Sequence, residues 1–128
     1  MREARILKIV VAAACFVPIT AGGAGALLGP AMVGIETASL AADSHYRYLS
    51  GLLLGIGILF LSMVLRIERA TGGFRLLALI VVIGGFSRLS GVLLRRDADL
   101  STLFALAMEL GVTPALVLWQ ARVADRHK

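Results

Sequence analysis

Four long apolar stretches, separated by short clusters of charge, organise this chain. They cover about 6–28, 45–65, 74–94 and 102–120. Each is near the roughly twenty residues a helix needs to cross about 30 Å of hydrocarbon. Lipid offers no partners to backbone N–H and C=O groups, so segments that cross it must satisfy those groups internally, as helices do. The pattern therefore predicts an all-α integral membrane protein. Its four-transmembrane-helix bundle runs in antiparallel up-down order as one membrane domain over 1–128. The connections differ in length. "RIERATGG" (66–73) and "RRDADLS" (95–101) are short charged turns, whereas "PAMVGIETASLAADS" (30–44) is long and mixed. That longer piece predicts a short interfacial helix or loop, with Asp43 or Ser44 as the N-cap of the second helix.

Composition agrees with this pattern. The chain is 59% hydrophobic and 16% charged, with a mean hydropathy of +0.89, which cannot supply a soluble domain with a polar coat. The net charge of +5 does not point to nucleic acid, because the basic residues flank apolar segments and form no separate patch. The first stretch begins with basic residues and ends with small ones, as a secretory signal does, but its apolar run is long enough to be retained as a span. Pro18 is expected to kink it. Ala21, Gly25 and Gly29 read as a small-xxx-small ridge for close helix contact. Cys15 is the single cysteine. It reads as an inert buried thiol, since it has no partner for a disulfide or a metal site.

Charge also predicts orientation. One set of alternate loops and termini carries Arg2, Arg5, Lys8, Arg66, Arg69, Arg75, Arg122, Arg126 and Lys128; the other carries Arg95 and Arg96 with Glu36, Asp43, Asp97 and Asp99. Nine cations against two place both termini in the cytoplasm by the positive-inside rule. The expected location is a bacterial inner membrane, crossed several times.

Two charges fall inside the apolar stretches. Arg88 lies seven residues before Arg95, and Glu109 lies eight after Ser101. At 1.5 Å per residue both sit roughly 10–12 Å below the same ends of their helices, so they can meet at one depth. An isolated charge there costs about 2.5–3.5 kcal/mol, so pairing is expected. Thr102, Glu109, Thr113 and Gln120 fall on one stripe at helical spacing. Gly84, Gly85 and Gly91 flank Arg88, and Arg47 shares a face of the second span with Gly51, Gly55 and Ser62. These faces predict a polar cluster in the outer half of the membrane, built from Arg47, Arg88, Glu109 and Thr113 and extended outward by His45 and Glu36. Such a cluster suits a lipid phosphate, a carboxylate or a quinone-like carbonyl. The plainer reading is a register lock between the third and fourth helices. In that reading Arg47 snorkels to headgroups and the glycines serve packing. His127 reads as part of a solvated tail.

No catalytic motif stands out: there is no zinc-protease helix, cysteine pair, nucleophile elbow or phosphate loop. Without two axial histidines inside the spans, haem is not expected, and neither enzyme activity nor any cofactor is predicted.

The segments "DSHYRYLSGLLLGIGILFL", "RLLALIVVIGGFSRLSGVL" and "ELGVTPALVLWQ" resemble a bacterial membrane family described as domain of unknown function 4345. The resemblance runs from about Glu36 to Gln120. Its most specific element is Arg47 to Gly51, joined by Arg88 and Glu109. It implies a small four-helix inner-membrane protein and supplies no activity. Three functions are then in contention. The first is binding of a membrane lipid or lipophilic anionic ligand at the arginine–glutamate cluster. The second is an accessory subunit that docks in a larger membrane complex or homo-oligomer. The third is a small-molecule exporter, which the chain's size and embedded glutamate suggest by analogy with small multidrug resistance proteins.

Overall fold

The computed structural model describes residues 2–128, and all regular structure there is helical. α1 spans Arg2–Leu28 and runs into a 3₁₀ turn, Gly29–Val33. α2 spans Leu40–Met63 and ends in a second 3₁₀ turn, Val64–Arg66. α3 spans Thr71–Arg95. The fourth run consists of α4, Leu100–Leu106, a π-helical segment, Ala107–Val112, and α5, Thr113–Asp125. These make four helical runs, each long and apolar enough to cross a membrane. Most of their apolar surface faces outward: none of the most apolar stretch of Leu100–Asp125 is buried.

The helix ends depart from the sequence expectation for local reasons. α2 starts five residues earlier than 45, because Ser39 is the N-cap and its hydroxyl accepts from the Ala42 N–H at 3.2 Å. Asp43, expected to cap, instead lies in the first turn, where it holds Arg47 one turn on. The 30–44 connection is mostly helix as well: a 3₁₀ turn closed by Gly34 at φ 81, then only a short link to Ser39. α1 continues through Pro18 as a single helix.

Asp99 caps α4, accepting the Thr102 N–H at 2.8 Å. Hydrogen bonds from the Thr102 side chain and backbone, with a smaller contribution from the charge of Arg88, hold the Asp99 carboxyl below its ordinary value. A depressed folded-state value stabilises the helix start above the unfolded pKa, and that gain is lost as pH falls through the folded one. We therefore expect the Thr102 amide to exchange faster as pH drops below the usual aspartate range, after correction for intrinsic exchange. Asp99→Asn should remove that pH dependence. An unchanged profile in the variant would show that Asp99 is not the cap that matters.

The chain divides into two compact units. The first, residues 8–65, holds most of α1 with α2 and is called here the Arg47 unit. Its helices meet through glycine. A methyl group built on Gly22 would lie 2.5 Å from the Leu54 nitrogen and 2.8 Å from the Ser50 carbonyl oxygen, and Gly25 is closed off by the Ser50 side chain. From the other helix, Gly57 faces Ile19 and Pro18. Gly22 thus joins Gly25 and Gly29 as a point of close approach, while Gly51 and Gly55 lie open. Cys15 is buried and free.

The second, the Arg88 unit, combines the start of α1 up to Leu7 with Arg66–Lys128. Ala4, Leu7, Ile67, Phe74, Leu77 and Val123 are among its buried side chains. Gln120 is fully buried, donating to the Ile67 carbonyl at 2.7 Å and to Thr71 Oγ1 at 3.0 Å. This amide ties α5 to the start of α3. Its Oε1 has no partner among the described residues.

Candidate functional site

The six candidate residues fall into the two units: Glu36, His45 and Arg47 in one, Arg88, Glu109 and Thr113 in the other. In the Arg47 unit, three of the five guanidinium N–H groups are engaged locally. Its Nε donates to Asp43 Oδ2 at 2.9 Å, and Nη1 donates to the carbonyls of Ala26 at 3.0 Å and Leu27 at 2.7 Å. α1 has no basic residue in its last turn, so its C-terminal carbonyls and the negative end of its dipole are met by a cation from α2. Gly29 makes this possible. Its φ is +65, and a Cβ there would press on Asp43 Oδ1 and the Arg47 guanidinium. Beside this clamp lies a cleft of about 480 Å³, lined by Glu36, Asp43, Arg47 and apolar groups that include Leu28, Ile35 and Leu40. His45 is exposed and does not line it.

In the Arg88 unit, Arg88 and Glu109 meet. Nε lies 3.1 Å from Oε2 and 3.3 Å from Oε1, and Nη2 lies 3.1 Å from Oε1. Gly85, one turn before Arg88, allows the approach, since a Cβ there would sit 2.8 Å from Glu109 Cβ. Gly84 and Gly91 face open space. The Glu109 side chain is 17% exposed and that of Arg88 42%. The pair is therefore closed on the carboxylate side and open on the guanidinium side. Of the five N–H groups on Arg88, these bonds engage Nε–H and one on Nη2, which leaves three.

Glu109 sits inside the π segment, a feature the helical stripe did not anticipate. The cause is Pro114. It has no N–H, and in a regular helix its ring would collide with the carbonyl four residues back. The chain widens instead: the Thr113 N–H reaches back five residues to the Met108 carbonyl, and the Thr113 hydroxyl donates to the same oxygen at 2.8 Å. Thr113 thus has its hydroxyl proton committed to its own helix. The next rung of that five-residue ladder would link Pro114 to the Glu109 carbonyl and is missing. Proline inside an apolar helix was the available signal, because such helices accommodate it by local π adjustments, and π turns recur at functional sites. Among the described residues no three His, Cys, Asp or Glu side chains are grouped to hold a metal ion.

Fold and site together define a class: small all-α chains whose four helical runs are each long and apolar enough for a membrane, with an arginine–glutamate pair joining the third and fourth. Within that class, this chain belongs to the family described as domain of unknown function (DUF4345), whose model matches residues 6–120. The match includes α1, beyond the Glu36–Gln120 reach of the sequence resemblance. No curated protein and no solved structure matches.

Proposed function

We propose that this is a multi-pass inner-membrane protein, its four spans antiparallel and both termini cytoplasmic, that binds a lipid or lipophilic ligand at Arg88 and Glu109. The order of contacts supports the hairpins. From α1 to α2, Ile19 meets Gly57, Gly22 meets Leu54, and Leu27 meets Arg47. From α3 to the fourth run, Thr71 meets Gln120 and Arg88 meets Glu109. The excess of Lys and Arg on one set of loops supports the orientation.

One observation carries the binding reading: a charged pair on a largely apolar helix surface keeps three exposed-side guanidinium N–H groups without a partner among the described residues. In hydrocarbon such donors demand an acceptor. The pair is neutral as a whole, and Arg47 is matched by Asp43 and the α1 carbonyls within its own unit. Those facts favour a hydrogen-bond-accepting headgroup, such as an ester or quinone-like carbonyl, over the lipid phosphate or carboxylate that the cluster also suited.

Native mass spectrometry of protein gently extracted from its own membrane tests this. Wild type should carry a defined lipid-soluble adduct, absent from Arg88→Leu/Glu109→Leu protein of unchanged helical content. An adduct retained by the double variant, or none in either form, would sink the proposal. Co-purifying protein subunits would favour the accessory-subunit reading, for which the open Gly51 and Gly55 face of α2 is the supporting feature. The exporter reading is weaker, because Glu109 is already engaged by Arg88.

A further inference from the structure

The two ends of the Arg88 unit carry charge differently. Where α3 passes to α4, Arg95 and Arg96 are equalled in number by Asp97 and Asp99. At the other end three segments gather: the first turns of α1, the connection into α3, and the last turns of α5. Arg126 pairs with Glu3, which joins α5 to α1. The Gln120 amide joins α5 to Ile67 and Thr71.

All three acidic side chains at this end are engaged. Glu3 holds Arg126, Asp125 holds Lys128 at 2.8 Å and lies in the field of Arg75, and Glu68 has an interaction of its own. That leaves Arg2, Arg5, Arg66, Arg69 and Arg122, all exposed and none in an ion pair among the described residues. Topology alone is satisfied equally by lysine or arginine. Here all five are arginine, whose planar fork takes two phosphate oxygens at once.

We propose that this end is a binding surface for anionic phospholipid headgroups, with guanidinium groups from the three segments taking the phosphate oxygens. The inference rests on the reading that the helices span a bilayer and is independent of any ligand at Arg88.

The single tryptophan, Trp119, lies next to Gln120 in α5 and provides a native probe. The full chain is reconstituted into phosphatidylcholine vesicles containing either brominated phosphatidylglycerol or brominated phosphatidylcholine, and quenching of Trp119 is followed. Brominated phosphatidylglycerol should quench at a several-fold lower mole fraction. That preference should shrink in Arg66→Gln/Arg69→Gln/Arg122→Gln, by up to roughly fivefold per arginine, and on raising salt to about 0.5 M. The variant should keep its helical circular dichroism and its quenching by brominated phosphatidylcholine. Equal quenching by the two lipids in wild type, or an undiminished preference in the folded variant, would overturn the proposal. Loss of the preference on adding excess glycerol phosphate would overturn it in favour of a soluble phosphate ligand. No quenching by either lipid would instead overturn the membrane reading, and this proposal with it.

Discussion

Arg88→Leu alone should destabilise the protein far more than Arg88→Leu combined with Glu109→Leu. The single change leaves the Glu109 carboxylate, only 17% exposed, facing leucine and glycine with no cation. With the helices in the bilayer as proposed, an unpaired charge there costs about 2.5–3.5 kcal/mol, roughly a hundredfold in the ratio of folded to unfolded protein. The double change removes both charges and leaves two apolar side chains of a kind this surface already carries, and a buried pair replaced whole is often tolerated. Reversible unfolding in bicelles, read for wild type, both single variants and the double variant, measures the coupling. If the two single losses simply add in the double variant, the pair is not coupled and the geometry described above does not act in the membrane.

Two adjacent glycines should respond to alanine with opposite sign. At Gly22 the new methyl group would meet the Leu54 nitrogen, the Ser50 carbonyl oxygen and Leu54 Cα at 2.5, 2.8 and 2.9 Å, all backbone atoms that no rotamer change can move. Forcing them apart costs about 1–3 kcal/mol, a range whose upper part exceeds the roughly 1 kcal/mol that alanine adds to a helix interior. At Gly23 nothing lies within 4 Å of the new methyl, so only the helical gain remains. In the same bicelle assay Gly22→Ala should lower stability and Gly23→Ala should raise it. Equal stabilisation of both would mean that α1 and α2 do not pack through Gly22.

These pairings show what a sequence can disclose here. The four apolar runs were legible because a helix able to cross lipid needs length and hydrophobicity along its whole course. The meeting of Arg88 with Glu109 was legible because two charges at matched depth on neighbouring helices have few other partners. The ridge on α1 was legible only in part. "AGGAGALLG" contains several registers of small residues, and the facing backbone at Leu54, which the pattern does not reveal, selects the one through Gly22. The role of Arg47 was hidden for a related reason: its acceptors include the carbonyls of Ala26 and Leu27, and every residue has a carbonyl. The π segment was signalled by Pro114, but a periodicity of 3.6 assumes away the irregularity that places Glu109.

The Arg47 clamp also has a consequence in time. A ribosome delivers Ala26 and Leu27 about twenty residues before it delivers Arg47. During that interval the Arg47 N–H groups that their two carbonyls accept in the folded chain do not yet exist. The first helix is therefore complete as a segment before it is complete as a structure. Its final turn takes on the Arg47 clamp only when the start of α2 has emerged and folded back, which makes the hairpin rather than the single helix the smallest piece of chain that carries it.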